Sequence, residues 1–274
     1  MYTIKDNHWL RKANSITALS CMKNKTLFEA GQPDSIIIHY TAGRDAESSA
    51  NYLCREDVKA SAHLVVGRKN EIFQLIPFNT VAWHAGKSSL NGRIGFNRFS
   101  IGIEIDNAGV LEKNGDGYMA WFGKRYSENE VIKAVHCNES TEKYWHTYTE
   151  NQIHIVEDLC QSLMNKYNTI TQIFGHEEIS KGRKQDPGPA FPLDKIRNRL
   201  LQDRDSESAV YENMNGEVDV QRLNIRSLPD VNSDPVNSPL AKGTKVKILQ
   251  KHSGWYQVKT EIEGWVSSEY ISLE

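Results

Sequence analysis

Residues 34–43, DSIIIHYTAG, set three consecutive isoleucines before a histidine and close on small residues ending at Gly43. A short apolar run between a polar start and a turn reads as a strand covered on both faces, because such a strand has no polar side to alternate with. The next residues, RDAESSANYLCRED (44–57), have helix-forming composition, so the pair predicts a strand-helix unit. Further on, SAHLVVG (61–67), the polar turn RKN and EIFQLIP (71–77) predict a hairpin. In FSIGIEIDN (99–107) the isoleucines alternate with Gly102, Glu104 and Asp106, which puts the isoleucines on one face of a strand and Glu104 on the other. Thr149 to Gln152 reads as a capping box, and Ile153, Val156, Cys160 and Leu163 recur behind it at helical spacing. Strands alternating with helices predict an α/β domain, a mixed central sheet flanked by helices. The polar, glycine-containing segment LEKNGDGYMAWFGKRYSENEV (111–131) is expected to be a long surface loop of the kind that borders a site.

At 274 residues the chain is long for one domain, and 39% hydrophobic residues supply enough apolar material for two cores. Thirty-three basic residues against thirty-five acidic ones, a net charge of -2, leave no overall field to draw the protein onto nucleic acid or an anionic bilayer. No run approaches the length of a membrane span, and the amino-terminal residues hold no continuous apolar stretch suited to a Sec signal. Four scattered cysteines without a C-x-x-C pair predict reduced thiols, mostly in the core. Residues 203–219 carry six acids against one arginine without periodicity, and read as a solvated linker between a domain at 1–202 and another at 220–274. In the latter, short β-rich runs punctuated by Gly, Pro, Asn and Ser predict a small all-β barrel.

Two of the nine histidines, His39 and His176, stand where a strand or loop ends beside small residues, and Asp186 follows ten residues after the second. Two imidazoles and a carboxylate suit a zinc ion with one open position. Nine histidines offer many such triples, so spacing alone does not assign them.

The ordered set of motifs adds a resemblance. IIIHYTAG, SAHLVVGRKNEIFQLIP, VAWHAGKS (81–88), SIGIEIDN and IFGHEEISKGRKQDPGPAFP (173–192) are similar to successive segments of the zinc-dependent N-acetylmuramoyl-L-alanine amidase family, which includes phage-lysozyme-type amidases and peptidoglycan recognition proteins. The resemblance runs from about Ser35 to Ile196. It implies that His39, His176 and Asp186 hold Zn²⁺, that Glu104 is the general base and Lys184 the oxyanion stabiliser, and that Trp83 and His84 line the substrate groove. The implied reaction is hydrolysis of the amide between N-acetylmuramic acid and the L-alanine of the stem peptide by zinc-activated water. One position departs from many members: Ala62 stands where they carry a tyrosine before the hairpin histidine, here His63. That pattern looks more like the branch holding cytosolic anhydro-muropeptide amidases and their envelope relatives.

LNIRSLPD, SGWYQVKT and EGWVSSEYIS in residues 220–274 resemble a bacterial SH3-like (SH3b) domain, which implies a wall-binding module. Trp255, Tyr256, Trp265 and Tyr270 could meet sugars, although a small barrel also fills its own core with such residues; Trp265 and Tyr270 are expected there. The expected partners are peptidoglycan or muropeptides, with an immunity or inhibitor protein as a further expectation. Action on the wall or periplasm after lysis or specialised secretion fits the absence of a Sec signal. A cytosolic recycling amidase and a non-catalytic recognition module are the rival readings.

Overall fold

The computed structural model describes residues 1–11, 13, 15–205, 214–227, 233–252 and 255–261. The chain divides into two compact units, Met1–Gln202 and Asp203–Glu274. Among the described residues no helix is long and apolar enough to cross a membrane.

The first unit is built on a six-stranded mixed sheet. Its strands are β1 (Ile16–Ala18), β2 (Ser35–Tyr40), β3 (Leu64–Val66), β4 (Ile72–Gln74), β7 (Ser100–Ile105) and β13 (Gln172–Gly175), in the order β1-β4-β3-β7-β2-β13. The β3–β4 pair is the expected antiparallel hairpin, and β2 runs parallel to both its neighbours, β7 and β13. Helices α2 (Glu150–Lys166) and α4 (Leu193–Asp205) cover one face, where Ile36, Ile38, Ile101, Ile103 and Ile105 meet Val156, Leu159, Leu163 and Ile196. The capping box is present: Thr149 accepts from the Gln152 amide, and the Gln152 side chain returns to the Thr149 amide. On the opposite face, α1 (Ala46–Cys54) packs Ala46, Ala50 and Leu53 against Val65 and Phe73, while Ile37 joins Ala85, Phe96 and Ile179. The sheet is thus covered on both sides, which is why Ile36–Ile38 reads as one apolar run. Ala62, fully buried, belongs to the core beneath α1.

Two expectations are corrected. Residues 111–131 are not a surface loop. Between a small hairpin of β5 (Ser89–Leu90) and β6 (Arg93–Ile94) and helix α2, the chain builds a second sheet of β8 (Val110–Asn114), β9 (Gly117–Met119), β10 (Arg125–Tyr126), β11 (Val131–Val135) and β12 (Glu142–His146), ordered β10-β9-β8-β12-β11 and antiparallel throughout. Its core is small, Ala108, Leu111, Tyr118, Ala120 and Tyr126, and the strands within 111–131 expose Glu112, Lys113, Asn114 and Arg125, so their polarity concealed the strand period. The expected reduced thiols are also half wrong. Cys21 and Cys54 form a disulfide across 33 residues, with Cα atoms 4.8 Å apart, whereas Cys137 and Cys160 are free. The Cys21 and Leu19 amides donate to Leu75 and Gln74, which brings Cys21 beside the end of α1, and no local spacing encodes that approach. Closing a loop of this size removes unfolded-chain entropy worth about 2–4 kcal/mol. Cys21→Ser, or reduction, should lower the melting temperature of the full chain by several degrees, read by calorimetry with and without reductant.

Asp106, at the end of β7, predicts a second stability effect. Burial raises its carboxyl from 3.8 to about 6, against the charges of Arg68 and Lys124 and with small support from Asp45 and Glu71. A carboxyl whose folded pKa lies above its unfolded value stabilises the fold only while protonated, so stability is full below about pH 4 and is lost as pH rises through about 6. Asp106→Asn should therefore abolish that slope and add on the order of 2 kcal/mol at pH 7, measured by denaturant titration at several pH values.

In the second unit, β14 (Met214–Glu217), β15 (Arg222–Leu223), β16 (Leu240–Ala241), β17 (Lys245–His252) and β18 (Trp255–Lys259) form a three-stranded sheet, β14-β17-β18, and a two-stranded pair, β15–β16. Trp255 is half-buried and Tyr256 exposed, while Trp265 and Tyr270 lie outside the described residues. Within 203–219, α4 runs to Asp205 and β14 begins at Met214; the intervening residues 206–213 lie outside the described set.

Candidate metal centre and cleft

His39 is the fifth residue of β2, and parallel pairing sets it directly beside Glu104 of β7. Both project from the face opposite Ile38, Ile103 and Ile105. On the other side of β2, β13 pairs Gly175 with Ile38 and releases the chain into the short helix α3 (His176–Ile179), which puts His176 next to His39. A Cβ at Gly175 would lie 2.9 Å from the Pro187 ring, so the glycine lets the returning loop pass close behind. The Glu177 amide donates to the Asp186 carbonyl at 2.8 Å, pinning that loop.

The result is a buried triad. Asp186 Oδ2 lies 2.8 Å from His39 Nδ1 and 2.9 Å from His176 Nδ1, and the two imidazole nitrogens are 2.9 Å apart. His176 Nε2 is 3.0 Å from the Ala85 carbonyl, which can only accept, so that nitrogen carries the proton and Nδ1 keeps its lone pair. Burial, then the neighbouring His176, pushes the His39 imidazole down to about 4 despite Asp186. Burial alone would raise the Asp186 carboxyl, but the His176 and His39 imidazoles beside it hold it far below the usual range. Two imidazole nitrogens and a carboxylate oxygen, converging within 3 Å, form a donor set suited to a divalent cation.

A second group, His136, Cys137 and Glu177, is also close enough to share an ion. Its protonation pattern opposes that use. His136 Nδ1 accepts the Asn138 amide, so Nε2 carries hydrogen and donates to Glu177 at 2.8 Å, and neither nitrogen has a lone pair to offer.

The triad lies in a cleft of about 930 Å³ whose lining includes Glu104, Lys184, Trp83, Tyr52 and Trp121. Glu104 Oε2 is enclosed and has no hydrogen-bond partner. Burial, then the Asp186 charge, raises its carboxyl well above the ordinary value, with Lys184 opposing. Trp83 is held by its backbone amide on the Ser61 hydroxyl and leaves its ring half-exposed. His84 also lines the cleft but is largely buried, one ring nitrogen 3.0 Å from His39 Nε2 and the other on Ser100. His63 is likewise internal, donating to the Thr80 carbonyl and accepting the Gly102 amide. The sequence reading missed Tyr52 and Trp121. Trp121 is 79% exposed, yet its indole N–H donates to the Ala42 carbonyl at 2.9 Å, which fixes an aromatic face beside the turn after His39. Its signal was a tryptophan in a polar, glycine-flanked hairpin, a position no core requires.

The N-acetylmuramoyl-L-alanine amidase family model matches residues 29–189, and a bacterial SH3 domain model matches residues 221–272. Among curated proteins, the chain is 31% identical over 141 residues to the 1,6-anhydro-N-acetylmuramyl-L-alanine amidase AmpD of Escherichia coli (strain K12), covering 51% of this chain and 58% of the relative. It is 30% identical over 169 residues to the N-acetylmuramoyl-L-alanine amidase AmiD of the same organism, covering 59% and 51%. With the amidase XlyA of Bacillus subtilis (strain 168) it shares 36% over 118 residues, covering 41% and 37%. The chain thus spans less than two thirds of each relative's length.

Proposed function

Because this chain belongs to the N-acetylmuramoyl-L-alanine amidase family and carries a bacterial SH3 domain, we propose that it is a zinc peptidoglycan hydrolase, cleaving the amide between N-acetylmuramic acid and the L-alanine of the stem peptide. The observation that carries this reading is the convergence of His39, His176 and Asp186 in the cleft beside Glu104, whose Oε2 is enclosed and unpartnered. His39, His176 and Asp186 would hold the ion. When bound, zinc lowers the pKa of water towards neutrality and polarises a carbonyl.

Glu104 then takes the proton of the attacking water and delivers it to the departing L-alanine amine. Its burial strengthens it as a base, and its missing hydrogen-bond partner leaves Oε2 open to that proton. The Lys184 ammonium, which lines the cleft and acts electrostatically on both His39 and Glu104, stabilises the oxyanion that develops on the amide carbonyl. Trp83, Tyr52 and Trp121 offer aromatic faces for the sugar or the stem. The first unit, Met1–Gln202, is the catalytic domain, and the bacterial SH3 domain matched at residues 221–272 binds the wall polymer and keeps the enzyme on its insoluble substrate.

The match to AmpD favours a second reading, action on small anhydro-muropeptides. One experiment separates the two. Purified sacculi and anhydro-muropeptides are digested side by side and the products weighed by mass spectrometry, with and without a chelator. Stem peptides bearing free L-alanine amines, released from sacculi and lost on chelation, are the expected result. Hydrolysis of anhydro-muropeptides alone would favour recycling, and cleavage of glycosidic or interpeptide bonds would overturn the reaction.

A further inference from the structure

We propose that His84 is a positioning residue that decides which nitrogen of His39 faces the metal centre, through a chain of buried hydrogen bonds anchored on the Ser100 backbone. The inference rests on reading His39, His176 and Asp186 as zinc ligands.

The chain is determined from its far end. The Ser100 carbonyl has no hydrogen to give, so His84 Nε2, 3.2 Å away, carries the proton and donates it. The Ser100 hydroxyl commits its own hydrogen to the Phe96 carbonyl at 2.6 Å, which leaves its oxygen to accept from the same Nε2 at 3.3 Å. With hydrogen on Nε2, the neutral His84 ring has a bare Nδ1. That atom lies 3.0 Å from His39 Nε2 and accepts its N–H. His39 is left with its lone pair on Nδ1, the nitrogen that points at Asp186 Oδ2 and His176 Nδ1. His63 cannot interrupt the relay. Although its ring centroid is 6.0 Å from that of His84, both its nitrogens are engaged by Thr80 and Gly102.

Strand β7 is shaped for this arrangement. A Cβ at Gly102 would stand 2.4 Å from His84 Cγ, so only glycine leaves room for the ring. Ser100, Gly102 and Glu104 are alternate residues and share one face. One strand face thus supplies the anchor, the space for the relay and the proposed base. Partners of this kind orient metal-binding imidazoles, and their loss costs about 10- to 100-fold in metal affinity.

The test is zinc affinity of the full chain by competition with a chromogenic chelator. His84→Phe keeps a ring but removes the acceptor, and is expected to bind zinc about 10- to 100-fold more weakly than wild type. His84→Asn, whose amide oxygen can occupy the place of Nδ1, is expected to retain most of the affinity. Equal affinity of wild type and a folded His84→Phe overturns the relay while leaving the zinc site standing; a wild type that binds no zinc overturns the hydrolase reading and the relay together. Ring ¹⁵N shifts of zinc-loaded wild type need no variant: His84 protonated at Nε2 supports the relay, and His84 protonated at Nδ1 overturns it.

Discussion

Glu104→Gln is expected to lower kcat for release of L-alanine-terminated stems by about 10²- to 10⁴-fold, with zinc affinity unchanged. Glutamine copies the shape of the side chain but cannot accept a proton at neutral pH. The pH profile gives a second readout. The proposed base acts as the carboxylate, and burial together with the nearby Asp186 charge raises the Glu104 pKa well above the ordinary value. The wild-type rate therefore falls as pH drops through that raised pKa, on a limb displaced upward from the range of exposed carboxylates, and the Gln variant lacks this limb. A variant with near-normal kcat would assign the proton transfer elsewhere.

Asp186→Ala is expected to produce the other large loss. The carboxylate is the one member of the triad able to bring a negative charge, and one of its oxygens lies 2.8 and 2.9 Å from the two imidazole Nδ1 atoms. Without it, two imidazoles remain. Lewis-acid stabilisation is worth several kcal/mol, so activity should fall by about 10³-fold or more, together with zinc binding in the chelator competition. Excess zinc should restore little, because the residual pair leaves the ion's charge uncompensated. Activity near wild type at trace zinc would remove Asp186 from the ligand set.

Much of the central sheet was legible because its strands leave strong local signatures. Ile36–Ile38 is continuous where both faces are covered, and the isoleucines of β7 alternate where one face must admit His84 and Glu104. Thr149 and Gln152 announce α2 by themselves. The second sheet was not legible, since strands of two to five residues with one solvated face resemble a polar loop. Nor was the Cys21–Cys54 bond, which depends on tertiary approach. At the site, His39, His176 and Asp186 stood out through their motifs, and the structure brings them together. The contact between His84 and His39 was hidden, because a W-H-A-G turn carries no local sign of which imidazole its histidine will meet.

The parallel pairing of His39 with Glu104 has an engineering corollary. Their spacing is dictated by interstrand amide bonds rather than by flexible side-chain stems, so it should tolerate replacement of the peripheral hairpins or grafting onto a foreign targeting module. A single-codon insertion or deletion within either strand is another matter. It would transfer one partner to the helix-covered side of the sheet and disarm the enzyme even if folding were rescued, so redesign belongs at the loops and these two segments are best left untouched.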